Sequence, residues 1–315
     1  MEHQIRTYRP EDLSNLTEFL NANLDYDSLS KSLLKEKLEG DPDWEPEKAL
    51  ICHDGEKIIG FMQGVIRDIR GTKYGYIKLM AVGKSYRRQG IARALYEELE
   101  GCFISDNVDV VRIYDVPKNY FMPGIDLRYT EAVCFAIRMG FKRFGDATNL
   151  IVDLNESVWD TAREEKSLKI HGIEVKRAEV HEKQNVIDFV KDEWALWTHE
   201  VGMAFNDDPP SIHIAHLHAR LPRHGGQASR QGKIKAFSAH NGNNKGTGWF
   251  GPMGTHPELR GKGIGSILLK RCLKDIKLMG QKRAIIPWID HIDFYVHHAN
   301  ARVDRVFWRY EKLLK

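Results

Sequence analysis

No stretch of this chain approaches the roughly 18–20 apolar residues a bilayer-spanning helix needs, and its first residues, MEHQIRTYRPEDL, lack the apolar centre of a signal peptide. No membrane partner is expected. The four cysteines (Cys52, Cys102, Cys134, Cys272) stand singly with no CxxC pair, which argues against a zinc ribbon or a dithiol redox motif. Cys134 and Cys272 lie in apolar periodic stretches and read as buried thiols, so a reduced, cytoplasmic protein is expected. Excess charge of one sign is also missing: 47 Lys and Arg against 44 Asp and Glu leave a net charge of +3, with no chain-wide basic stripe. Composition therefore gives no reason to expect a nucleic-acid partner.

What the chain does have is a repeat. At 315 residues it is long enough for two ordinary domains, and RGKGIG (260–265) echoes RRQGIA (87–92) at an offset of 173 residues. The same offset places Met80 on Met253, Arg87 on Arg260, Gly90 on Gly263 and Ile91 on Ile264. Each turn follows a strand-like apolar run and opens a helical pattern, with Ile91, Leu95 and Leu99 in one copy and Ile264, Ile267, Leu268, Cys272 and Ile276 in the other. AVCFAIRMGF (132–141) and HIDFYVHHANA (291–301) match in place. A divergent internal duplication explains all three.

The first copy reads as a strand at QIRTYRP and helices near 10–22 and 29–38. Strands follow near 47–52, 57–68 and 74–83, with HDGE as a hairpin turn, then a helix over 88–104. The strand DVVRIYDV, a helix over 130–139 and strands to about 154 complete it. The charged segment 157–171 reads as a linker between domains 1–156 and 172–315. The second copy repeats the order: helices near 181–203, strands near 212–220, 233–240 and 247–255, a helix from about 262, the strand RAIIPW, a short helix at Tyr295 and a closing strand VFWRYEKLL. LPRHGGQASRQG and NGNNKG read as its hairpin loops. The fold class is α/β, twice.

A helix start leaves its first N–H groups unpaired and carries partial positive charge, so it accepts a phosphate wherever no side chain blocks the approach. Gly263, Gly265, Gly90 and the small Ala92 remove bulk there, and Arg87, Arg88, Arg260 and Lys262 add charge. A Walker loop needs GxxxxGK[ST], which neither turn supplies. The Rossmann fingerprint needs a third glycine that GKGIGS lacks.

The pattern Arg-x-x-Gly-x-Gly/Ala at a strand–helix junction, present twice, resembles the pyrophosphate loop of the GCN5-related N-acetyltransferase (GNAT) family, and the resemblance covers almost the whole chain. It implies two tandem GNAT-like domains, each a mixed, mostly antiparallel twisted sheet flanked by helices. It implies that Arg87, Arg88, Gln89, Gly90, Ile91 and Ala92, and likewise Arg260, Gly261, Lys262, Gly263, Ile264 and Gly265, hold the pyrophosphate of acetyl-CoA as co-substrate. Met80 and Val82, and Met253 and Thr255, would face the pantetheine arm. The family's later AxxFYxxxGF helix places a tyrosine where it can protonate the departing thiolate. That position is Tyr295 after Phe294, but Ala136 after Phe135, with Tyr129 as a substitute at the wrong offset. Chemistry is therefore expected in the second copy.

An attacking amine must lose a proton. Asp290 and His291, just before Tyr295, are candidate bases that also read as caps or solvated residues. His240, Asn241, Asp68, Asp115 and Asp126 share that ambiguity. His213, His216 and His218 on one strand, and His297–His298, have no cysteine or paired carboxylate to complete a zinc site, so no metal is expected. The resemblance implies an N-acetyltransferase acting on a primary amine of a small molecule by direct attack in a ternary complex, working as a monomer or homodimer. The alternative is a non-catalytic acyl-CoA-binding regulatory module.

Overall fold

The computed structural model describes residues 4–218 and 232–314. The expected hairpin loop LPRHGGQASRQG, except for its last residue, and the end of the strand expected over 212–220 lie outside the described residues. The chain forms two compact units, one of Met1–Thr148 with Arg305–Lys315 and one of Asn149–Asp304.

The first unit runs β1 (Gln4–Thr7), α1 (Leu13–Asn23), α2 (Lys31–Lys37), β2 (Ala49–Asp54), β3 (Lys57–Ile69), β4 (Thr72–Val82), α3 (Ile91–Ser105), β5 (Val110–Ile113), β6 (Ile125–Asp126), α4 (Thr130–Arg138) and β7 (Lys142–Asp153), whose residues from 149 on belong to the second unit. The first four strands pair antiparallel in sequence order, and β4 then pairs in parallel with β5. Helix α3 lies on one face. Its close approach depends on glycine: a Cβ on Gly64 would stand 2.5 Å from Leu99 Cδ1, and one on Gly75 2.9 Å from the Phe103 ring. On the other face a buried polar knot joins the strands to the end of α2, where Lys37 O accepts from Lys78 at 2.7 Å, and to Asp41 beyond it. Arg67 Nη2 donates to both oxygens of Asp41 at 2.9 and 2.8 Å, and Lys78 pairs with the same carboxylate. Burial opposes charge on Asp41, yet Lys78 and Arg67 hold its carboxyl below the usual range.

The second unit runs α5 (Ala162–Ile170), β8 (Ile173–Arg177), α6 (Lys183–Trp194), α7 (Thr198–Ala204), β9 (Ile212–Leu217), β10 (Lys233–His240), β11 (Phe250–Thr255), α8 (Ile264–Leu278), β12 (Arg283–Ile286) and α9 (Ile292–Ala299). It also holds the start of β13 (Arg302–Leu313). The antiparallel sheet β11-β10-β9-β8 is covered on one side by α8, through Ile264, Ile267 and Leu268 against Val175, Ala215 and Ala236. On the other side lie α6 and α7, through Val186, Val190 and Val201 against Ile212, Ile214 and Phe237. Strand β12 pairs antiparallel with residues 150–153 of β7.

Three expectations are corrected here. The segment 157–171 is not a bare linker: Leu168 of α5 is buried in the core of the second unit, as is Trp159 just before it, so two apolar anchors convert a charged run into packed structure. The strand VFWRYEKLL does not close the second copy. Residues 305–313 of β13 lie in the first unit, between β5 and β7, with Glu311 opposite Arg112 and Phe307 opposite Asp126. The domain division expected at 1–156 and 172–315 therefore shifts, because hydrogen-bond partners rather than chain order decide where a strand settles. Finally, Cys272 is buried as expected, but Cys134 is exposed, since α4 turns only Ala136 into the core.

Candidate active site

Strand β4, which carries Met80 and Val82, is shaped by a bulge. Gln63 pairs with Leu79 and Gly64 with Ile77, so Lys78 is an extra residue in β4. Opposite residues of an antiparallel pair share a face, and Gly60, Met62 and Gly64 lie on the α3 side. Their partners Val82, Met80 and Ile77 therefore lie there too, an arrangement that a bulge-free strand with period 2 would break. The second unit repeats the device at the same offset: Met253 pairs with Ser238 and Phe250 with His240, leaving Gly251 and Pro252 against Ala239 alone.

Beyond Ile77, which pairs with Ile113, β4 and β5 part company. Tyr114, at φ 68°, turns away from the ladder. The gap opens into a cleft of about 690 Å³ lined by Met80, Val82, Arg87, Arg88, Gly90, Ile91 and Ala92, seven of the residues expected in the first cofactor set. Gln89, the eighth, folds back to donate to Ser85 O at 3.2 Å. In the second unit, Trp249, just before β11, forms an isolated parallel bridge with Ile285 of β12.

The two glycine turns are one backbone built twice. A short 3-10 turn (Lys84–Tyr86, Pro257–Leu259) leads to an extended arginine, Arg87 at φ −65° and ψ 156°, Arg260 at −64° and 154°. Each arginine Nε reaches back to the last residue of the preceding strand, Arg87 to Val82 O at 3.4 Å and Arg260 to Thr255 O at 3.1 Å. Gly90 at φ 87° and Gly263 at φ 77° then cap fifteen-residue helices with no side-chain cap. A Cβ on either would meet nothing within 4 Å, so these glycines serve the left-handed turn and leave the amides behind it open to an anion. Arg87 is tied to Glu131 at 2.9 Å, whereas Arg88 and Lys262 have no ion pair among the described residues.

Tyr295 packs edge-on against Phe250 and Phe294, with ring centroids 6.1 and 5.1 Å away. Burial pushes its hydroxyl up to about 12, and that hydroxyl has no hydrogen-bond partner among the described residues. Phe294 brings α9 to the loop: its Cζ is 3.4 Å from the point where a Cβ on Gly265 would stand. In the first unit Ala136 is fully buried and offers no hydroxyl there. Asp290 and His291 are exposed at the start of α9 and hydrogen-bond to no other described side chain.

The remaining polar candidates separate by environment. Asp68 accepts from Gly71 N at 2.9 Å in a turn. Burial raises the Asp115 carboxyl to about 6 despite its bond to Arg309 at 3.1 Å. His240 is fully buried, and burial pushes it down to about 4. Asn241 donates to Asp207 at 2.8 Å. Each strand histidine has its own carboxylate: His213 with Asp275 at 2.6 Å, His216 with Glu182 at 3.5 Å, His218 with Glu174 at 3.1 Å. Among the described residues no group of three His, Cys, Asp or Glu side chains is placed to hold a metal, and no helix is long and apolar enough to cross a membrane.

One cluster at the cleft escaped sequence reasoning. Tyr129, which lines the cleft, donates to Asp27 Oδ2 at 2.7 Å, and Arg305 holds Asp27 with two bonds of 2.6 and 3.0 Å. No local pattern joins positions so far apart in the chain.

The model of the acetyltransferase (GNAT) family matches residues 16–119 and again 187–299. No curated protein sequence matches the chain. Among solved structures, it resembles a GCN5-related glucosamine N-acetyltransferase region of a fungal multi-domain GH3 beta-N-acetylglucosaminidase (TM-score 0.80, 18% identity), covering 99% of this chain but only 38% of that one. It also resembles a GCN5-related N-acetyltransferase from Sphaerobacter thermophilus (TM-score 0.68, 15% identity, 99% and 96% of the two chains). A third is a tandem GNAT protein from the clavulanic acid biosynthesis pathway (TM-score 0.70, 13% identity, 99% and 98%). With a bulged strand, a left-handed glycine and an uncapped helix repeated in both halves, the chain belongs to the acetyltransferase (GNAT) family in its tandem form.

Proposed function

We propose that this chain is an N-acetyltransferase that moves an acetyl group from acetyl-CoA to a primary amine of a small molecule by direct attack in a ternary complex. Acyl-CoA-dependent acyl transfer is the chemistry the family's fold carries, and the observation that supports the finer reading is the doubled cradle at Gly90 and Gly263. Open amides at a helix start suit a pyrophosphate, contributing several charge-assisted hydrogen bonds beside a dipole term of roughly 0.3–1 kcal/mol. Met80 and Val82 in one unit, and Met253 and Thr255 in the other, offer strand edge and side chain to the pantetheine arm. In the second unit a backbone amide of β11 faces the charge that develops on the thioester oxygen. Tyr295, kept protonated by burial, is equipped to give its proton to the departing thiolate.

An amino sugar is the first acceptor to try, because the fungal relative is described as a glucosamine N-acetyltransferase region. Calorimetric titration with acetyl-CoA, on the intact chain and on Gly90→Glu and Gly263→Glu, tests the cradles. Two binding events are expected, each lost with its own glycine. Thiol release with glucosamine and a panel of primary amines tests the transfer. A folded chain that binds no acetyl-CoA, or that binds it and acetylates no amine, overturns the proposal.

A further inference from the structure

The hydroxyl of Tyr129 has a defined polarity. A phenol offers one donor and two lone pairs. The proton is given to Asp27 Oδ2 at 2.7 Å and one lone pair is taken by the backbone N–H of Tyr26 at 3.0 Å. Among the described residues nothing takes the remaining acceptor position, on a residue that lines the cleft beside Met80 and Tyr114. Asp27 is in turn fixed by Arg305, which donates to both its oxygens and turns its Nε to Asp126 Oδ2 at 2.5 Å. Arg128 donates to Asp126 at 2.7 Å and lies 4.4 Å over the Tyr26 ring. The four charges, Asp27, Asp126, Arg128 and Arg305, cancel in pairs, so the cluster presents no net charge. What it presents is an oxygen that can accept a hydrogen.

We infer that the first unit carries its own transfer centre, in which the acceptor amine docks on Tyr129 and loses its proton through Tyr129 to Asp27. This rests on the acetyl-transfer reading above but does not use Tyr295. As the amine nitrogen bonds to the thioester carbonyl carbon and the C–S bond breaks, the amine proton passes to Tyr129 Oη while the proton of Tyr129 passes to Asp27 Oδ2. The thiolate is protonated from solvent and Asp27 returns its proton to solvent. The nitrogen becomes far more acidic as it bonds to the carbonyl carbon, which drives its proton along this path. Tyr129 is the catalytic residue. Asp27 and Arg305 are positioning residues acting through it, and Arg305 arrives on β13, the last strand of the chain.

The test is thiol release with glucosamine and with hydroxylamine, in full-length chain carrying Tyr295→Phe to silence the other centre. Turnover is expected to persist in that background. Adding Tyr129→Phe, which removes a single oxygen, should lower kcat with glucosamine by on the order of 100-fold while leaving the affinity for acetyl-CoA unchanged. Asp27→Asn should do the same, and Arg305→Lys should fall between. The losses should shrink with hydroxylamine, a weakly basic acceptor that needs less help to shed its proton, a pattern that loss of fold would not produce. If Tyr295→Phe alone abolishes turnover, or if Tyr129→Phe leaves it unchanged in that background, the first unit has no such centre. If the unmodified chain acetylates no amine, both this inference and the proposed function fall together.

Discussion

At the scale of the residue, the two copies differ at one position of the late helix, Tyr295 in α9 and Ala136 in α4. Tyr295 sits in an apolar wall that keeps its hydroxyl protonated, and acid catalysis by one well-placed group is worth roughly 10²–10⁴-fold. Tyr295→Phe is expected to cut thiol release at the second centre by a factor in that range, with acetyl-CoA affinity unchanged in a calorimetric titration. His240 makes a separate prediction. Its folded-state value lies near 4, below the usual 6.5, with Asp275, His213, Arg177 and Asp207 around it. A histidine kept neutral by folding favours the folded state fully above its unfolded value, and that contribution is lost as pH falls from about 6.5 towards 4. The unfolding free energy should decline over this window by roughly 2–4 kcal/mol on account of this group. In urea titrations at pH 7 and pH 4.5, His240→Phe should narrow the gap between the two.

At the scale of the element, the glycine turns and the helices behind them were legible in the sequence, because a positive φ and a 3.6-residue apolar period are local demands. The bulges at Lys78 and at Gly251–Pro252 were not. They exist only against the partner strands β3 and β10, and no local pattern of letters announces which residue a ladder will skip. Yet they decide that Met80 and Val82 share the α3 side of the sheet. The contact between β3 and α3 is equally a property of pairs. A methyl on Gly64 would stand 2.5 Å from Leu99 Cδ1 and 2.9 Å from Phe103 Cζ, too close to fit unless these buried side chains shift. Gly64→Ala is therefore expected to destabilise the first unit by about 1–3 kcal/mol, the usual cost of overpacking, seen as a lower urea midpoint. Because α3 opens at the cradle, it should also weaken acetyl-CoA binding at Gly90 while leaving binding at Gly263 alone.

At the scale of the whole molecule, the duplication suggested two domains cut in series, and the chain does not divide that way. Residues 305–315 belong to the unit that begins at the N-terminus, and residues 150–153 of β7 pair with β12 in the other. A chain ended after Asp304 would take from the first unit the strand between β5 and β7, together with Arg305, Arg309 and Glu311 and their bonds to Asp27, Asp115 and Arg112. Such a chain should lose the binding event that depends on Gly90 while keeping the one that depends on Gly263. Two acetyl-CoA binding events in that truncated chain would mean the last strand is dispensable. A fragment of residues 1–156 alone, the domain as first expected, should likewise fail to bind.

The sequence by itself determined the repeat, the fold class, the two glycine turns that open long helices, and the absence of a late hydroxyl from the first copy. These are set by residues close together in the chain, where backbone sterics and helical period act directly. Tertiary structure alone decided which strand closes the first sheet, which residue each bulge leaves out, and that Asp27, Tyr129 and Arg305 meet. The reason is physical. Strand pairing and side-chain contact join positions up to 278 residues apart, and the energy that selects among possible partners appears only when the chain has folded.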